Sequence, residues 1–401
     1  MKSIEELRGE TPGAGVVAHF NNCGSALPPS AVLDAQLEHL RLEGEIGGYE
    51  AAQRNMGRRT MSEAAARLLG CAANEIAFAD SASRAWNELV SSMSLRRGDE
   101  ILTSRIEYGM NLRSLRRLAL RTGSRLRIVA SRADGTVDLD DLSRHLSSST
   151  KLVAITHAAG HFGGVNPVEE IGRLVAGTRA VFLVDACQSL GQMPVDVDAM
   201  SCHALTASGR KWLRGPRGSG LLYVRNDTSE LIDPVPVGLV TSDLQFDNYL
   251  IREEVALRSD AKRFEIWERN VAAEIGLAVA LEYLAGVGVE AAHRRIAELA
   301  GYLADRVGSM PGVSLLRPLG ETRSGVIGLA LPGGTHQVAA VRQYLHGRGI
   351  NVSSMQYDGA PLDYAARGID SVLRISPHYY NTDDEVDRLC WHLAAALRAA
   401  A

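Results

Sequence analysis

The amino-acid sequence predicts an α/β protein built on a mostly parallel seven-stranded sheet, with a smaller α+β domain towards the C-terminus. Three observations favour this fold. Between residues 74 and 224, short apolar stretches alternate with amphipathic stretches of helical period. The apolar stretches are nearly continuous, which is typical of strands buried on both faces of a parallel sheet. The chain has 401 residues, a length that favours about two domains.

Seven strands are predicted in the first half of the chain, with helices between most of them. Ligands of such sheets bind beyond the carboxyl ends of the strands, so the loops directly after each strand are the places to search for a site. The predicted strands are 75–79, 100–103, 126–130, 152–156, 181–185, 204–207 and 220–224. The predicted helices are 83–94, 112–121, 139–145 and 167–174.

The second half of the chain has a different pattern. Residues 225–269 are irregular and polar, which predicts a connector and an active-site loop. Helices are predicted at 271–284, 290–307, 336–346 and 382–397, and strands at 313–316, 326–330, 350–353 and 372–376. We therefore predict a large, cofactor-binding domain at 17–260 and a small domain formed by 1–16 and 261–401.

Composition argues against several classes of protein. The net charge of −4 and the isoelectric point near 6.3 disfavour nucleic acid or an anionic membrane as the main partner. The five cysteines are odd in number and include no CxxC motif, which favours a reducing compartment. No signal peptide and no apolar run of ~20 residues is visible in the sequence. We therefore expect a cytoplasmic protein.

The most informative segment is 208–220, where Lys211 lies among serine, arginine and glycine residues. It follows closely after Asp185, which ends an apolar strand. A lysine that forms a Schiff base and a carboxylate that keeps a pyridine nitrogen protonated are what pyridoxal 5'-phosphate (PLP) chemistry requires. Two simpler interpretations stay open: a basic turn for Lys211 and a helix N-cap for Asp185.

Neighbouring residues extend this hypothesis. Ser208 and Arg210 provide donors for a phosphate group. Ala82 and Ser83 open a predicted helix, whose N–H groups bind phosphate well, although an ordinary serine N-cap explains the segment equally. Gln188 lies one turn after Asp185, where its amide could reach a cofactor oxygen.

Three further side chains are candidates for the substrate side. Tyr108 follows a predicted strand and could stack on a planar ring, the alternative being core packing. Arg374 lies inside an apolar strand, where it could bind a substrate carboxylate or form an internal salt bridge. His161 follows the strand 152–156 and could reach the active site. No cluster of residues in the sequence predicts a metal site.

With these residues in order, the chain resembles the class V aminotransferase family, which includes cysteine desulfurases and selenocysteine lyases. The resemblance runs from Phe20 to Thr382. It implies a fold-type I PLP enzyme that acts on a small amino-acid substrate as a homodimer, with active sites near the subunit interface. The implied cofactor-binding residues are Ala82, Ser83, Tyr108, Asp185, Gln188, Ser208, Arg210 and Lys211, with Asn22 and Arg374 for the substrate.

The chain departs from the desulfurases at four places. Their nucleophilic cysteine has no counterpart in 351–359, so a persulfide is not expected to form there. Tyr108 stands where desulfurases have a ring-stacking histidine, and Gly160 replaces a frequent asparagine. Glu268 stands where a threonine of the partner chain binds phosphate in desulfurases.

Four segments narrow the resemblance to the C–S lyase of ergothioneine biosynthesis and its relatives in lincosamide pathways. They are 47–49, 107–111, 210–218 and 378–382. This implies β-elimination from an S-substituted L-cysteine to a thiol, pyruvate and ammonia, with Lys211 as base and Tyr108 or His161 as general acid. Decarboxylation or oxidative deamination of the same substrate, transamination and epimerisation stay open as alternatives.

Overall fold

A seven-stranded sheet organises the first half of the molecule. The structure is a computed structural model that describes residues 2–55, 60–228, 232–234, 257–316 and 324–399. A short strand, β1 (Ala18–His19), precedes the sheet. The strands of the sheet are β2 (Ile76–Ala79), β3 (Glu100–Thr103), β4 (Arg125–Ile128), β5 (Thr150–Thr156), β6 (Val181–Asp185), β7 (Ala204–Ser208) and β8 (Gly220–Val224).

The strand order of this large sheet is β2-β8-β7-β6-β5-β3-β4. Strand β8 runs antiparallel to both of its neighbours, and the other pairs are parallel. Parallel neighbours need long crossovers, and helices supply them here. The prediction of a mostly parallel seven-stranded sheet is confirmed, and each predicted strand lies within a few residues of an observed one.

Helices cover both faces of the large sheet. Successive residues of β6 point to opposite faces: Phe182 and Val184 belong to one apolar core, Val181 and Leu183 to the other. The helices of the described residues, which include those of the second sheet, are α1 (Ile4–Gly9), α2 (Ser30–Ile46), α3 (Gly48–Asn55), α4 (Met61–Leu69), α5 (Ala82–Ser91), α6 (Gly109–Thr122), α7 (Leu139–His145), α8 (Val168–Val175), α9 (Val271–Val287), α10 (Val289–Gly308), α11 (Gly334–His346), α12 (Pro361–Arg367) and α13 (Asp383–Ala399).

A second, four-stranded sheet follows in the chain, with the order β12-β13-β10-β9 and antiparallel pairs. Leucines of α10, α11 and α13 form its apolar core. Helix α9 packs in the core of the large sheet, and α10 contributes to both cores. The predicted domain boundary at 260/261 stays a prediction. The four strands of this sheet are β9 (Ser314–Leu315), β10 (Ile327–Ala330), β12 (Ser353–Gln356) and β13 (Ser371–Ile375), whereas β11 (Ile350–Asn351) pairs with β1.

The prediction of one strand at 350–353 is wrong. The chain changes partner there: Ile350 of β11 pairs with Ala18 of β1, whereas Ser353 of β12 pairs with Arg374 of β13. The two strands are separated at Val352, where the chain passes from one sheet to the other. Of the predicted connector 225–269, residues 229–231 and 235–256 lie outside the described residues.

Among the described residues, no single helix has the length and hydropathy of a membrane span. The pair α9 and α10 meets that criterion jointly, but the two helices are bent by 80° at their junction. Both helices contribute buried residues to the core of the large sheet.

The small sheet approaches the loop after β5 so closely that a side chain would not fit between them. A Cβ on Gly328 of β10 would lie 2.1 Å from the backbone oxygen of His161. Gly163, with φ of +77°, would place its Cβ 2.3 Å from the backbone oxygen of Val326. Gly328 lies directly opposite Arg374 in the sheet register. This backbone contact therefore sets the position of Arg374 relative to the large sheet.

We predict that Gly328→Ala lowers the free energy of unfolding by about 1–3 kcal/mol, because two backbone segments must separate to admit the methyl group. Urea unfolding at fixed pH measures the change. The matched control is Gly308→Ala in α10, where the nearest atom to the new Cβ is 3.7 Å away. Equal unfolding midpoints for the two variants would contradict the proposed steric contact.

Candidate active site

Loops at one edge of the large sheet enclose a cavity. The segments that follow β2, β3, β5, β6 and β7 all contribute to it, as expected for the carboxyl edge of a parallel sheet. Two residues of the small sheet complete the lining. The lining residues are Cys23, Gly24, Ser81, Ala82, Ser83, Tyr108, Asn111, Thr156, Ala158, Gly160, Asp185, Cys187, Gln188, Ser208, Arg210, Lys211, Met355 and Arg374.

Most of the predicted site residues therefore meet in one place, although they come from five separate parts of the chain. Their placement makes the predicted roles possible, and the roles themselves stay predictions. The predicted residues that line the cavity are Ala82, Ser83, Tyr108, Asp185, Gln188, Ser208, Arg210, Lys211 and Arg374.

Asp185 ends β6 with a buried carboxylate whose two oxygens each accept a hydrogen bond. The backbone N–H of Cys187 donates to Oδ1 at 2.8 Å, and the side-chain amide of Asn111 donates to Oδ2 at 2.6 Å. Burying a carboxylate is costly unless its oxygens are satisfied in this way. The two donors also fix the orientation of the carboxylate in the cavity.

Lys211 lies on a tight turn after β7 that the neighbouring residues hold in place. The backbone N–H of Arg214 donates to the carbonyl of Lys211 at 2.9 Å, and Arg214 adopts a left-handed φ of +61°. The buried Arg214 guanidinium donates to the carbonyl of Leu27 and to the hydroxyls of Thr11 and Tyr379. The turn that presents the Lys211 amine is thus anchored to both ends of the chain.

Four residues form what we call the anion cradle: Ala82, Ser83, Ser208 and Arg210. The first two begin α5, where backbone N–H groups lack intrahelical partners and attract anions. The Arg210 guanidinium donates to Ser208 Oγ at 3.2 Å. Strand β8 comes so close that a Cβ on Gly220 would lie 2.8 Å from the Ala82 nitrogen. Glycine there leaves the start of α5 unobstructed.

Gln188 is oriented by hydrogen bonds on both sides of its amide. Its Nε2 donates to the carbonyl of Cys23 at 3.0 Å, and its Oε1 accepts from the indole of Trp212 at 2.8 Å. Because an indole is only a donor, the Gln188 oxygen must face Trp212. Trp212 follows directly after Lys211, so the same turn positions both side chains.

Arg374 extends from β13 to the cavity and is held by neutral partners. Its Nε donates to Ser353 Oγ at 3.0 Å, and its Nη1 donates to the carbonyl of Gly160 at 2.9 Å. Within the described ranges, no carboxylate lies within salt-bridge distance of it. The alternative of an internal salt bridge is therefore not observed, and donor capacity is left for an anionic ligand.

Tyr108 caps the start of α6 at the rim of the cavity and is 40% exposed. Burial of the hydroxyl raises its pKa, and the nearby Cys187 and Asp185 raise it further. The phenol therefore keeps its proton at neutral pH, which is the form that a general acid needs.

His161 and Asn22 do not line the cavity, in contrast to their predicted roles. His161 is buried and its Nε2 lies 2.8 Å from Asp363 Oδ2 of α12. The Asn22 amide donates to the carbonyls of His19 and Ser376, and its oxygen accepts from the Tyr380 hydroxyl. These contacts argue against direct proton transfer by His161 and against substrate binding by Asn22. Glu268 is exposed and also lies outside the cavity lining of its own chain.

Asn111, Thr156 and the buried Glu107 are functional candidates to which the sequence analysis assigned no role. Asn111 lies three residues after Tyr108, one turn into α6, and its amide reaches Asp185. Thr156 ends β5 beside Asp185, its register partner on β6. The spacing of Tyr108 and Asn111 could have indicated that Asn111 faces the cavity, because a polar residue one turn into a helix faces the same edge as the N-cap residue of that helix.

Comparison with a family profile and comparison with individual known sequences give results that are consistent with each other. The sequence profile of the family described as aminotransferase class-V matches residues 18–389. Cysteine desulfurase from Escherichia coli strain SE11 is 31% identical, and the match covers 96% of each chain.

Comparison with solved structures agrees with the comparison of sequences. The apo structure of cysteine desulfurase from Thermococcus onnurineus NA1 superimposes with a TM-score of 0.88 at 27% identity, covering 100% of this chain and 99% of that one. A cystine C–S lyase in complex with its product cysteine persulfide gives a TM-score of 0.83 at 23% identity, with 96% and 99% coverage. At that identity, the second likeness establishes the fold alone.

We predict that Asp363→Asn lowers the free energy of unfolding at pH 7 by about 3–5 kcal/mol, because it removes one partner of a buried ionic cluster. The carboxylate accepts from Arg105, His161 and Arg367. Burial alone would raise the pKa of Asp363, but its hydrogen bonds and charged neighbours outweigh burial and lower the pKa from 3.8 to about 2.

The stabilisation from Asp363 is therefore present above its unfolded-state pKa and is lost as the pH falls through the folded-state pKa of about 2. Urea unfolding between pH 7 and pH 2 should show the difference between wild type and variant closing below about pH 4. Asp34→Asn, at an exposed position on α2, is the control. A difference that stays constant with pH would contradict this account.

Proposed function

The chain belongs to the class V aminotransferase family, and on this premise we propose that it is a PLP-dependent C–S lyase that cleaves an S-substituted L-cysteine. Elimination releases a thiol and 2-aminoacrylate, and water hydrolyses the latter to pyruvate and ammonia. We place the reaction in the biosynthesis of a sulfur-containing natural product, such as a lincosamide or ergothioneine. We further expect a cytoplasmic homodimer.

The cavity fits PLP by its set of donors and acceptors. PLP carries a phosphate, a pyridine nitrogen and an aldehyde, which need an anion site, a carboxylate and an amine. The anion cradle, Asp185 and Lys211 line one cavity. Gly220 leaves the start of α5 accessible to the phosphate, since a Cβ there would lie 2.8 Å from the Ala82 nitrogen.

When bound, PLP withdraws electron density from the Cα of an amino acid and weakens the bonds to that carbon. Asp185 would accept a hydrogen bond from the ring nitrogen and keep the proton there. Arg374 binds the α-carboxylate and thereby orients the substrate. The Lys211 amine removes the Cα proton, and the Tyr108 hydroxyl donates a proton to the departing sulfur.

The observation that carries the choice of a lyase is the cavity wall formed by the small sheet. Met355 of β12 lines the cavity there, and residues 351–359 contain no cysteine. Desulfurases, by the resemblance stated above, need a nucleophilic cysteine on that segment. Its absence supports cleavage by elimination of the sulfur group over transfer of the sulfur to the protein.

Two other cysteines line the cavity, but their surroundings do not replace the missing nucleophile. Burial raises the pKa of the Cys187 thiol strongly, and the neighbouring Asp185 raises it further. A protonated thiol is a poor nucleophile because the thiolate is the reactive form. Cys23 is 1% exposed, so its sulfur is poorly accessible to a substrate.

We predict that the purified protein binds PLP with a visible absorption band that borohydride reduction shifts. Lys211→Ala should lack this band and lose about 10²–10⁴-fold in turnover, since the base is removed. Lys151→Ala, with its amine on the surface beside the Ser148 carbonyl, is the control and should keep both. A wild-type protein that stays colourless with added PLP would refute the cofactor assignment.

We predict that S-methyl-L-cysteine yields methanethiol and pyruvate in equal amounts. Mass spectrometry of the products, after chiral chromatography to separate enantiomers of equal mass, distinguishes the alternatives. Carbon dioxide with an intact C–S bond indicates decarboxylation, a sulfur-containing keto acid indicates transamination or oxidative deamination, and a D-product indicates epimerisation. Release of alanine from L-cysteine indicates a desulfurase. L-Alanine, which has no leaving group, is the control substrate.

A further inference from the structure

Glu107 is a buried carboxylate directly behind the cavity. It is 1% exposed, and the described cavity lining does not include it. It lies between β3 and α6, one residue before the cavity-lining Tyr108. Within the described part of the chain, no lysine, arginine or histidine forms a salt bridge with it. A buried carboxylate without a cation is held by hydrogen bonds alone, and those bonds identify what it positions.

The hydrogen bonds of Glu107 lead to three residues that line the cavity. Its Oε1 accepts from the backbone N–H of Tyr108 at 3.1 Å, the amide of Asn111 at 2.9 Å and the hydroxyl of Thr156 at 2.6 Å. Its Oε2 accepts from the backbone N–H of Thr156 at 2.8 Å. The carboxylate therefore joins the start of α6 to the end of β5.

The Asn111 amide connects Glu107 to Asp185. Its Nδ2 lies 2.9 Å from Glu107 Oε1 and 2.6 Å from Asp185 Oδ2. An amide nitrogen has two hydrogens, and both carboxylates accept, so each hydrogen has one partner. The reversed amide would direct an oxygen at two carboxylates, which fixes the orientation. Asp185 is thus held by an amide that Glu107 holds.

We propose that Glu107 is a positioning residue for the cofactor: acting through Asn111, it orients the Asp185 carboxylate and strengthens its hold on a proton at the ring nitrogen of PLP. This inference rests on the proposed PLP function. A negative charge behind Asp185 favours the protonated, positively charged form of the ring in front of it. Glu107 itself does not touch the cofactor space.

The charged and titratable groups around this network come from several elements. Asp185 and Cys187 follow β6, and Tyr108 begins α6. Arg210 and Lys211 after β7 and Arg374 on β13 line the same cavity. Burial raises the pKa of Glu107 to about 7, with Asp185 as the second cause, although hydrogen bonds from Thr156 and Asn111 oppose the rise.

The test compares Glu107→Gln with wild type, by equilibrium dialysis of PLP and by pH titration of the visible band of the bound cofactor. We expect PLP binding at pH 8 to weaken roughly tenfold, the size of one lost charged hydrogen bond. The midpoint of the titration should move to lower pH. At pH 6 the difference in affinity should shrink, because wild-type Glu107, with a pKa of about 7, is then largely protonated.

Two further variants separate this role from a structural one. Glu265→Gln alters another buried carboxylate, which accepts from the N–H of Phe78 on β2 and from Lys262. It should leave both PLP readouts unchanged even where urea unfolding shows a loss of stability. Asn111→Ala should reproduce the effect of Glu107→Gln, and the double variant should show little additional change, because the two residues act in series.

The outcomes are distinct. If Glu107→Gln matches wild type in both readouts, or if its effect simply adds to that of Asn111→Ala, the inference is overturned while the proposed function stands. If Glu107→Gln does not fold, an unchanged titration midpoint in Asn111→Ala overturns it equally. A wild-type protein that binds no PLP refutes the proposed function itself.

Discussion

The candidate site depends on the negatively charged carboxylate at the carboxyl end of β6 and on the hydrogen bonds that stabilise it. Asp185 is buried, and a buried carboxylate is stable only where its oxygens accept hydrogen bonds. One donor is the backbone N–H of Cys187, and the other is the side-chain amide of Asn111 on α6. This second bond connects the first turn of α6 to Asp185, with Glu107 behind Asn111.

The substrate side of the cavity depends on a contact between two sheets. Arg374 belongs to the small sheet, so its distance from the large sheet is set by how closely the two approach. Gly328 allows backbone contact with the loop after β5, and the Arg374 guanidinium donates to Gly160 of that loop. The hydrogen bond between His161 and Asp363 ties the same loop to α12. His161 therefore holds a loop that contributes to the site, while its own side chain does not line the cavity.

The Lys211 turn is anchored by a charge that has hydroxyls, a carbonyl and aromatic rings as neighbours. The buried Arg214 guanidinium lies 5.2 Å from the ring centroid of Tyr379 and 4.5 Å from that of Tyr380. Cation–π contacts and neutral acceptors offset part of the cost of burying the charge. Because its donors reach Thr11 and Leu27 as well, the turn is connected to distant parts of the chain.

The sequence by itself determined the mostly parallel sheet, since period-2 and period-3.6 patterns are local properties. It also identified Lys211 and Asp185 as residues of one site, because parallel strands place the residues that follow them at one edge of the sheet. Only the tertiary structure separated His161 from the cavity and divided 350–353 between two sheets, because both depend on partners far away in the chain. The hydrogen bonds of Glu107 and Asn111 were also visible only there: the spacing of Tyr108 and Asn111 indicates a shared edge, but not that Asn111 reaches Asp185, a residue distant in the chain.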